Sequence, residues 1–128
     1  MRYLLDTHTF LWMRHSPSRL GERARAVASD VDSALLLSDV SVWEMAIKLS
    51  IGKLKLMEPL AQIVREAHEK NGIERLPIEQ AHILRVEQLP LHHRDPFDRL
   101  LAAQALIEGL TVSSRDRSFD RYGVKRIW

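Results

Sequence analysis

The sequence predicts a three-layer α/β/α sandwich around a mainly parallel sheet, formed by residues 1–128 as one domain. Three observations predict it. A length of 128 residues suits one hydrophobic core and leaves little room for a second. Short apolar runs recur along the chain, each followed by polar residues, in the manner of strands buried on both faces. Helical stretches alternate with these runs, and that alternation favours parallel strands joined by helices.

The elements follow in order. RYLL (Arg2–Leu5) is the first strand and ALLL (Ala34–Leu37) the second. IERLP reads as a weaker third strand, Leu110–Ser114 as a fourth, and VKRIW as a fifth. Pro17 and Ser18 introduce a helix from about Arg19 to Ala28. From Val40 to about Ser50 the chain is apolar nearly all round, through Val42, Trp43, Met45, Ala46, Ile47 and Leu49, so this helix is expected to be mostly buried. Pro59 opens a helix to about Lys70, stopped by Asn71 and Gly72. Ile78 to Gln88 forms another ahead of Pro90, and Pro96 to Glu108 a last one, closed by Gly109. In such sheets ligands bind outside the carboxyl ends of the strands, which gives every candidate residue a test of position.

Composition narrows the chemistry. Hydrophobic residues at 45% and charged residues at 28% are ordinary for a soluble domain. The absence of cysteine excludes disulfides, a thiolate zinc site and thiol nucleophiles, and fits a reducing, cytoplasmic setting. The opening MRYLLDTHTFLW is broken by Asp6 and His8 and does not read as a signal peptide. No run approaches the roughly 20 apolar residues of a membrane span. The formal charge of +2 is a weak pointer to a polyanionic partner. If a metal neutralised four of the acids, the remaining surface would be distinctly basic.

Four acids meet the test of position. Asp6 directly follows the first strand; taken alone it reads as the N-cap of a helix starting at Thr7 or His8. Glu44 follows Ser41 at capping-box spacing and precedes Lys48 by four residues, yet it shares a face with Ile47 and Ile51, so structural and functional readings balance. In HHRDPFDRLL, Asp95 has the character of an N-cap and Pro96 that of the first helical residue. Asp98 then heads a small apolar stripe of Leu101, Ala102 and Ala105, where a carboxylate is costly unless it opens into a wet cleft or meets a cation. Asp95 is expected to build the helix start and Asp98 to work. Asp116 follows the fourth strand and is favoured by position over its neighbour Asp120. Clustered carboxylates repel, so they persist by sharing protons or by binding a hard divalent cation. Oxygen-only ligation suits Mg²⁺ or Mn²⁺, which can activate water for phosphodiester hydrolysis.

The blocks YLLDTHTFLW, SVWEMAIK, DPFDRLLAAQA and SSRDRSFDRYGV occur in the order and spacing of a PIN domain, and the whole chain resembles the VapC-type toxins of bacterial and archaeal toxin–antitoxin pairs. The resemblance implies a PIN-like sandwich with Mg²⁺- or Mn²⁺-dependent ribonuclease activity, RNA as substrate, a cognate antitoxin and a homodimer. Carried over by motif, its four acids fall on Asp6, Glu44, Asp98 and Asp116, with Thr7 and Ser114 as hydroxyl residues that orient ligands or water. Arg94, Arg99, Arg115 and Arg117 flank these acids as candidate RNA contacts, each weighed against an ordinary solvated charge. His92 and His93 read as a solvated loop, with phosphate contact as the alternative, and Trp12, Trp43 and Trp128 as core by default.

Three rivals were weighed. A phosphatase or phosphotransferase using Asp6 as nucleophile needs a second aspartate two residues on, where this chain has His8. A receiver-type signalling domain needs a phosphoacceptor at the end of a middle strand, which the weak third strand does not offer. A catalytically silent binding module would keep the fold, and the presence of all four acids argues against such decay.

Overall fold

A computed structural model describes residues 1–91 and 94–128. Five strands run parallel among the described residues: β1 (Arg2–Leu5), β2 (Ala34–Ser38), β3 (Glu74–Leu76), β4 (Thr111–Ser113) and β5 (Arg126–Ile127). Their spatial order is β3-β2-β1-β4-β5, so the chain builds outward on one side of β1 and then returns to the other. β1 is therefore the pivot, paired with β2 through Leu4 and Leu36 and with β4 through Leu5 and Ser113.

The helices are α1 (Thr7–His15), α2 (Glu22–Ser29), α3 (Asp39–Ser50), α4 (Leu60–Glu69), α5 (Gln80–Glu87) and α6 (Pro96–Glu108). Short 3₁₀ turns cover Pro17–Arg19 and Arg117–Tyr122. Strand side chains alternate between faces, and this alternation divides the core in two. Leu4, Leu36 and Val112 pack beneath α6 with Leu101, Ala102 and Ala105. Leu5 and Leu37 face the other way, against Phe10 of α1, Met45 of α3 and Ile63 of α4. The result is the three-layer sandwich that the alternating pattern predicts. No described helix is long and apolar enough to cross a membrane.

Four expectations need correction. The helix expected from Arg19 to Ala28 is split, with Leu20 and Gly21 extended between the Pro17–Arg19 turn and α2. The break lets Trp128 lie against Gly21: a β-carbon there would come within 2.6 Å of the indole and 2.7 Å of the Trp128 backbone. α3 starts one residue early on Ser38, whose hydroxyl accepts from the Val40 N–H at 2.9 Å, so Ser41 lies inside the helix and caps nothing. α3 is also less buried than its composition suggests, since Trp43 is 51% exposed and Ala46 is exposed as well. Nor is any tryptophan core: Trp12 and Trp128 are half-buried and stack at 5.8 Å, while Trp43 meets Phe97 edge-on at 5.0 Å.

Gly21→Ala should therefore destabilise the domain by about 1–3 kcal/mol, the usual cost of overpacking. Urea titration should show a lower midpoint at unchanged slope. An unchanged midpoint would mean that Trp128 moves aside without cost.

Candidate active site

The reversal in strand order leaves a crevice between the carboxyl ends of β1 and β4, and Asp6 and Ser114 meet there. Asp6 follows β1 and continues its ladder, its N–H donating to the Ser113 carbonyl at 3.3 Å. The Asp6 carboxylate caps α1, taking the Thr9 N–H on Oδ1 at 2.8 Å. Its other oxygen accepts a short hydrogen bond from the Ser114 hydroxyl. The capping and functional readings of Asp6 are thus compatible. Burial pushes this carboxyl above its ordinary value, against the hydrogen bonds from Ser114 and Thr9 and the field of His8.

Ser114 looks both ways. While its hydroxyl donates to Asp6, it accepts the Asp116 N–H at 3.0 Å. Asp116 in turn caps the 3₁₀ turn by accepting from the Ser118 N–H at 2.9 Å. Asp120, the competing acid, is turned away and held by Arg126 at 2.9 and 3.2 Å.

Glu44 comes from α3 and is only 4% exposed, far more buried than the Ile51 that shares its face. Burial is offset by two donors, the Thr7 hydroxyl at 2.6 Å and the Lys48 ammonium at 2.5 Å. Thr7 thus links Glu44 to the residue beside Asp6.

Asp98 sits in the first turn of α6, where the helix dipole favours an acid. Asp95 is the N-cap, accepting from the Phe97 and Asp98 N–H groups at 2.8 and 3.3 Å. Even so, the Asp98 carboxyl is pushed from 3.8 to about 8. Burial is the largest cause, followed by the charges of Asp95, Asp6, Glu44 and Asp116 in turn. The residues that the sequence singles out are therefore close enough for each to raise Asp98's affinity for a proton.

A hollow of about 360 Å³ opens here, lined by Asp6, His8, Trp12, Arg115, Asp116 and Arg117. Glu44 and Asp98 stand outside its lining. His8 and Trp12 are wall residues that sequence reasoning missed; their rings lie 5.6 Å apart at i,i+4 spacing on α1. That spacing, just after an acid at a strand end, is the signal that could have found them. Arg115 and Arg117 are exposed at this hollow, and Arg94 is exposed beside Asp95. Arg99 is placed differently: its guanidinium donates to the carbonyls of Val86, Leu89 and Pro90 and lies against the Tyr122 ring, binding α5 to α6. His92 and His93 lie outside the described residues.

Among the described residues no three His, Asp or Glu side chains close into a ready-made metal cage. The donor set still fits a hard cation. All the candidate ligands are oxygens, and Asp98 carries a repulsion that positive charge would relieve. Mg²⁺ normally keeps several waters and takes only one or two protein carboxylates directly, so a spread ring of acids suits it better than a tight cage. Both Asp6 oxygens accept one hydrogen bond each, which fixes the orientation of the carboxylate.

Comparison with known proteins identifies the fold and the family. A model of the PIN domain matches residues 3–125. Ribonuclease VapC16 of Mycobacterium tuberculosis is 40% identical over 58 residues, a stretch covering 45% of this chain and 41% of that protein. The chain thus spans less than half of that relative's length. Among solved structures, VapBC2 from Rickettsia felis bound to a promoter DNA fragment superposes with a TM-score of 0.71 at 16% identity, covering 99% of this chain and 98% of that one. FitAcB from Neisseria gonorrhoeae gives 0.66 at 23% identity, covering 98% and 96%. At these identities the likeness is one of fold.

Two outcomes follow from the site's electrostatics. In EDTA-treated protein, folded Asp98 keeps its proton between pH 3.8 and about 8 while the unfolded chain releases it, so this group lowers stability as pH rises through that window. The slope is at most about 1.4 kcal/mol per pH unit, reduced by partial solvent screening. Asp98→Asn should gain on the wild type steadily toward pH 8 in denaturant titrations, and a pH-independent difference would contradict the shift. Thr7→Val strips one Glu44 oxygen of its donor and should cost about 1–3 kcal/mol, with Thr7→Ser recovering most of it; thermal unfolding of the three proteins measures this.

Proposed function

The chain belongs to the PIN domain family, and on that premise we propose that it is a metal-dependent ribonuclease toxin that hydrolyses RNA phosphodiesters at the acids around Asp98. The observation that carries the reading is the hydrogen-bonded meeting of Asp6, Ser114 and Asp116 at the carboxyl ends of β1 and β4, to which Thr7 ties Glu44. Burial and the charges of these acids and Asp95 raise the proton affinity of the half-buried Asp98. Asp6, Glu44, Asp98 and Asp116 are the residues to hold Mg²⁺ or Mn²⁺, directly or through water. When bound, such an ion supplies an activated water and stabilises the oxygen that leaves.

The chain's own residues do the positioning. Ser114 fixes Asp6 and, through the Asp116 N–H, the start of the turn carrying the fourth acid. Thr7 and Lys48 hold the two Glu44 oxygens in one orientation. Asp95 orders the first turn of α6 and so the place of Asp98. Arg115 and Arg117 stand at the mouth, where they can hold phosphate oxygens away from the carboxylates. The named relative is a ribonuclease, and structures with this fold include VapBC complexes, which supports RNA as substrate and an antitoxin as partner. A homodimer working in the cytoplasm completes the proposal.

Purified antitoxin-free protein should cleave a mixed RNA pool with Mn²⁺ or Mg²⁺. Cleavage should disappear with EDTA and fall by about two orders of magnitude or more in a folded Asp98→Asn variant. Full activity in that variant would remove Asp98 from the site. Absence of both cleavage and metal-induced thermal stabilisation in the wild type would overturn the reading.

A further inference from the structure

Next to the acidic hollow lies a second one of about 460 Å³, lined by Arg23, Arg115, Arg117, Arg126, Ile127 and Trp128. Arg115 and Arg117 line both, so the two share a wall. The four arginines are not equivalent. Arg126 is largely buried; it is paired with Asp120 at 2.9 Å and also donates to the Ser114 carbonyl at 3.0 Å. It ties β5 to the turn after β4 and serves as floor. Arg23, Arg115 and Arg117 are exposed and make no ion pair among the described residues. Three guanidinium groups thus border one concave space, and Asp120, an acid that the field of Arg117 reaches, is already held by Arg126.

The same hollow has an aromatic edge. Trp128 is half-buried, held against Gly21 on one side and Trp12 on the other. Trp12 lines the acidic hollow, so the two tilted indoles run from one hollow to the other. Arg19 lies 5.6 Å over the Trp12 ring. Cationic side chains beside aromatic faces are the two elements by which proteins hold single-stranded nucleic acid, phosphates on the first and bases on the second.

We propose that this arginine hollow is a second RNA subsite, in which Arg23 and Arg117 hold a backbone phosphate flanking the scissile one and a neighbouring base lies against the Trp128–Trp12 edge. The proposal rests on the ribonuclease reading, since it needs the strand to continue out of the acidic hollow. It also meets a physical requirement of that reading. A polyanion brought to a ring of carboxylates must be held by positive charge nearby, and Arg23 lies on α2, which contributes none of the acids. An acidic peptide would satisfy the arginines but has no use for the paired indoles.

The test uses the full chain with a fluorescein-labelled RNA hexamer in EDTA, where no metal supports hydrolysis, and the same RNA with Mn²⁺ for kinetics. Arg23→Gln should weaken hexamer binding and flatten the plot of log affinity against log salt by about 0.7, the release expected for one lost phosphate contact on a single strand. Arg23→Lys should keep the slope, and Lys53→Gln, an exposed charge elsewhere, should leave it unchanged. On cleavable RNA the loss in Arg23→Gln should fall on KM rather than kcat. An Arg23→Gln slope equal to that of the wild type overturns the subsite. So does a loss of oligo-glutamate binding in Arg23→Gln with hexamer binding intact, which would mark a peptide site. Cleavage by the wild type with no Arg23 dependence sinks the subsite and leaves the ribonuclease standing. Arg23-dependent hexamer binding by a wild type that cuts no RNA sinks the activity and leaves the subsite standing.

Discussion

The hydrogen bond from Ser114 to Asp6 is the constraint on which the rest of the site depends. It joins the carboxyl ends of the two strands where the sheet changes direction, across 108 residues of sequence. Because Asp6 also caps α1 and Ser114 also accepts from the Asp116 backbone, one contact fixes the start of a helix, the end of a strand and the entry to a turn. Thr9 adds a second tie across the same junction, its hydroxyl donating to the Ser113 carbonyl at 2.9 Å. The crevice is therefore a consequence of strand order, and its chemistry a consequence of which side chains the strand ends carry.

Around this junction the protein holds more negative charge than a stable fold needs. Glu44 is compensated by Thr7 and Lys48, and Asp6 by Ser114 and Thr9. The excess is expressed on Asp98, whose proton affinity rises under burial and the fields of the other acids. Such strain is expected where function, and not stability, decides the residue. Arg115 and Arg117, exposed at the wall of the acidic hollow, bring positive charge beside it and, among the described residues, pair with none of these acids.

The sequence carried more of the site than of the surface. Strand ends are legible because buried parallel strands are short apolar runs, and an acid that follows one is visible by eye. That position marks Asp6 and Asp116, and the head of the stripe through Leu101, Ala102 and Ala105 marks Asp98. What the sequence did not carry were relations between distant segments. The break at Leu20 and Gly21 answers to Trp128, more than 100 residues away, and no local pattern announces it. Arg99 looked like a phosphate contact because it follows an acid, yet the carbonyls that engage it belong to α5 and the loop after it. Composition alone places the tryptophans in the core, while their positions follow from ring-to-ring contacts. Glu44 marks the middle case: its face is legible and Lys48 is marked by spacing, but Thr7 is marked only as a hydroxyl beside Asp6, with nothing to pair it with Glu44.

Three of these acids, Asp6, Asp95 and Asp116, serve as helix or turn caps, a task that requires an oxygen at the right place but no charge. Asparagine supplies that oxygen and caps as well as aspartate does. Its codons differ from those of aspartate by a single base. At Asp95 and Asp116, whose described cap bonds go to one oxygen, a lineage carrying this chain therefore lies one nucleotide from a protein that keeps its caps and has lost a charge from its centre. At Asp6 the second oxygen also takes the Ser114 hydroxyl, and asparagine would meet it with an N–H. Evolution can silence such a domain without first having to unfold it, and can restore it by the reverse step.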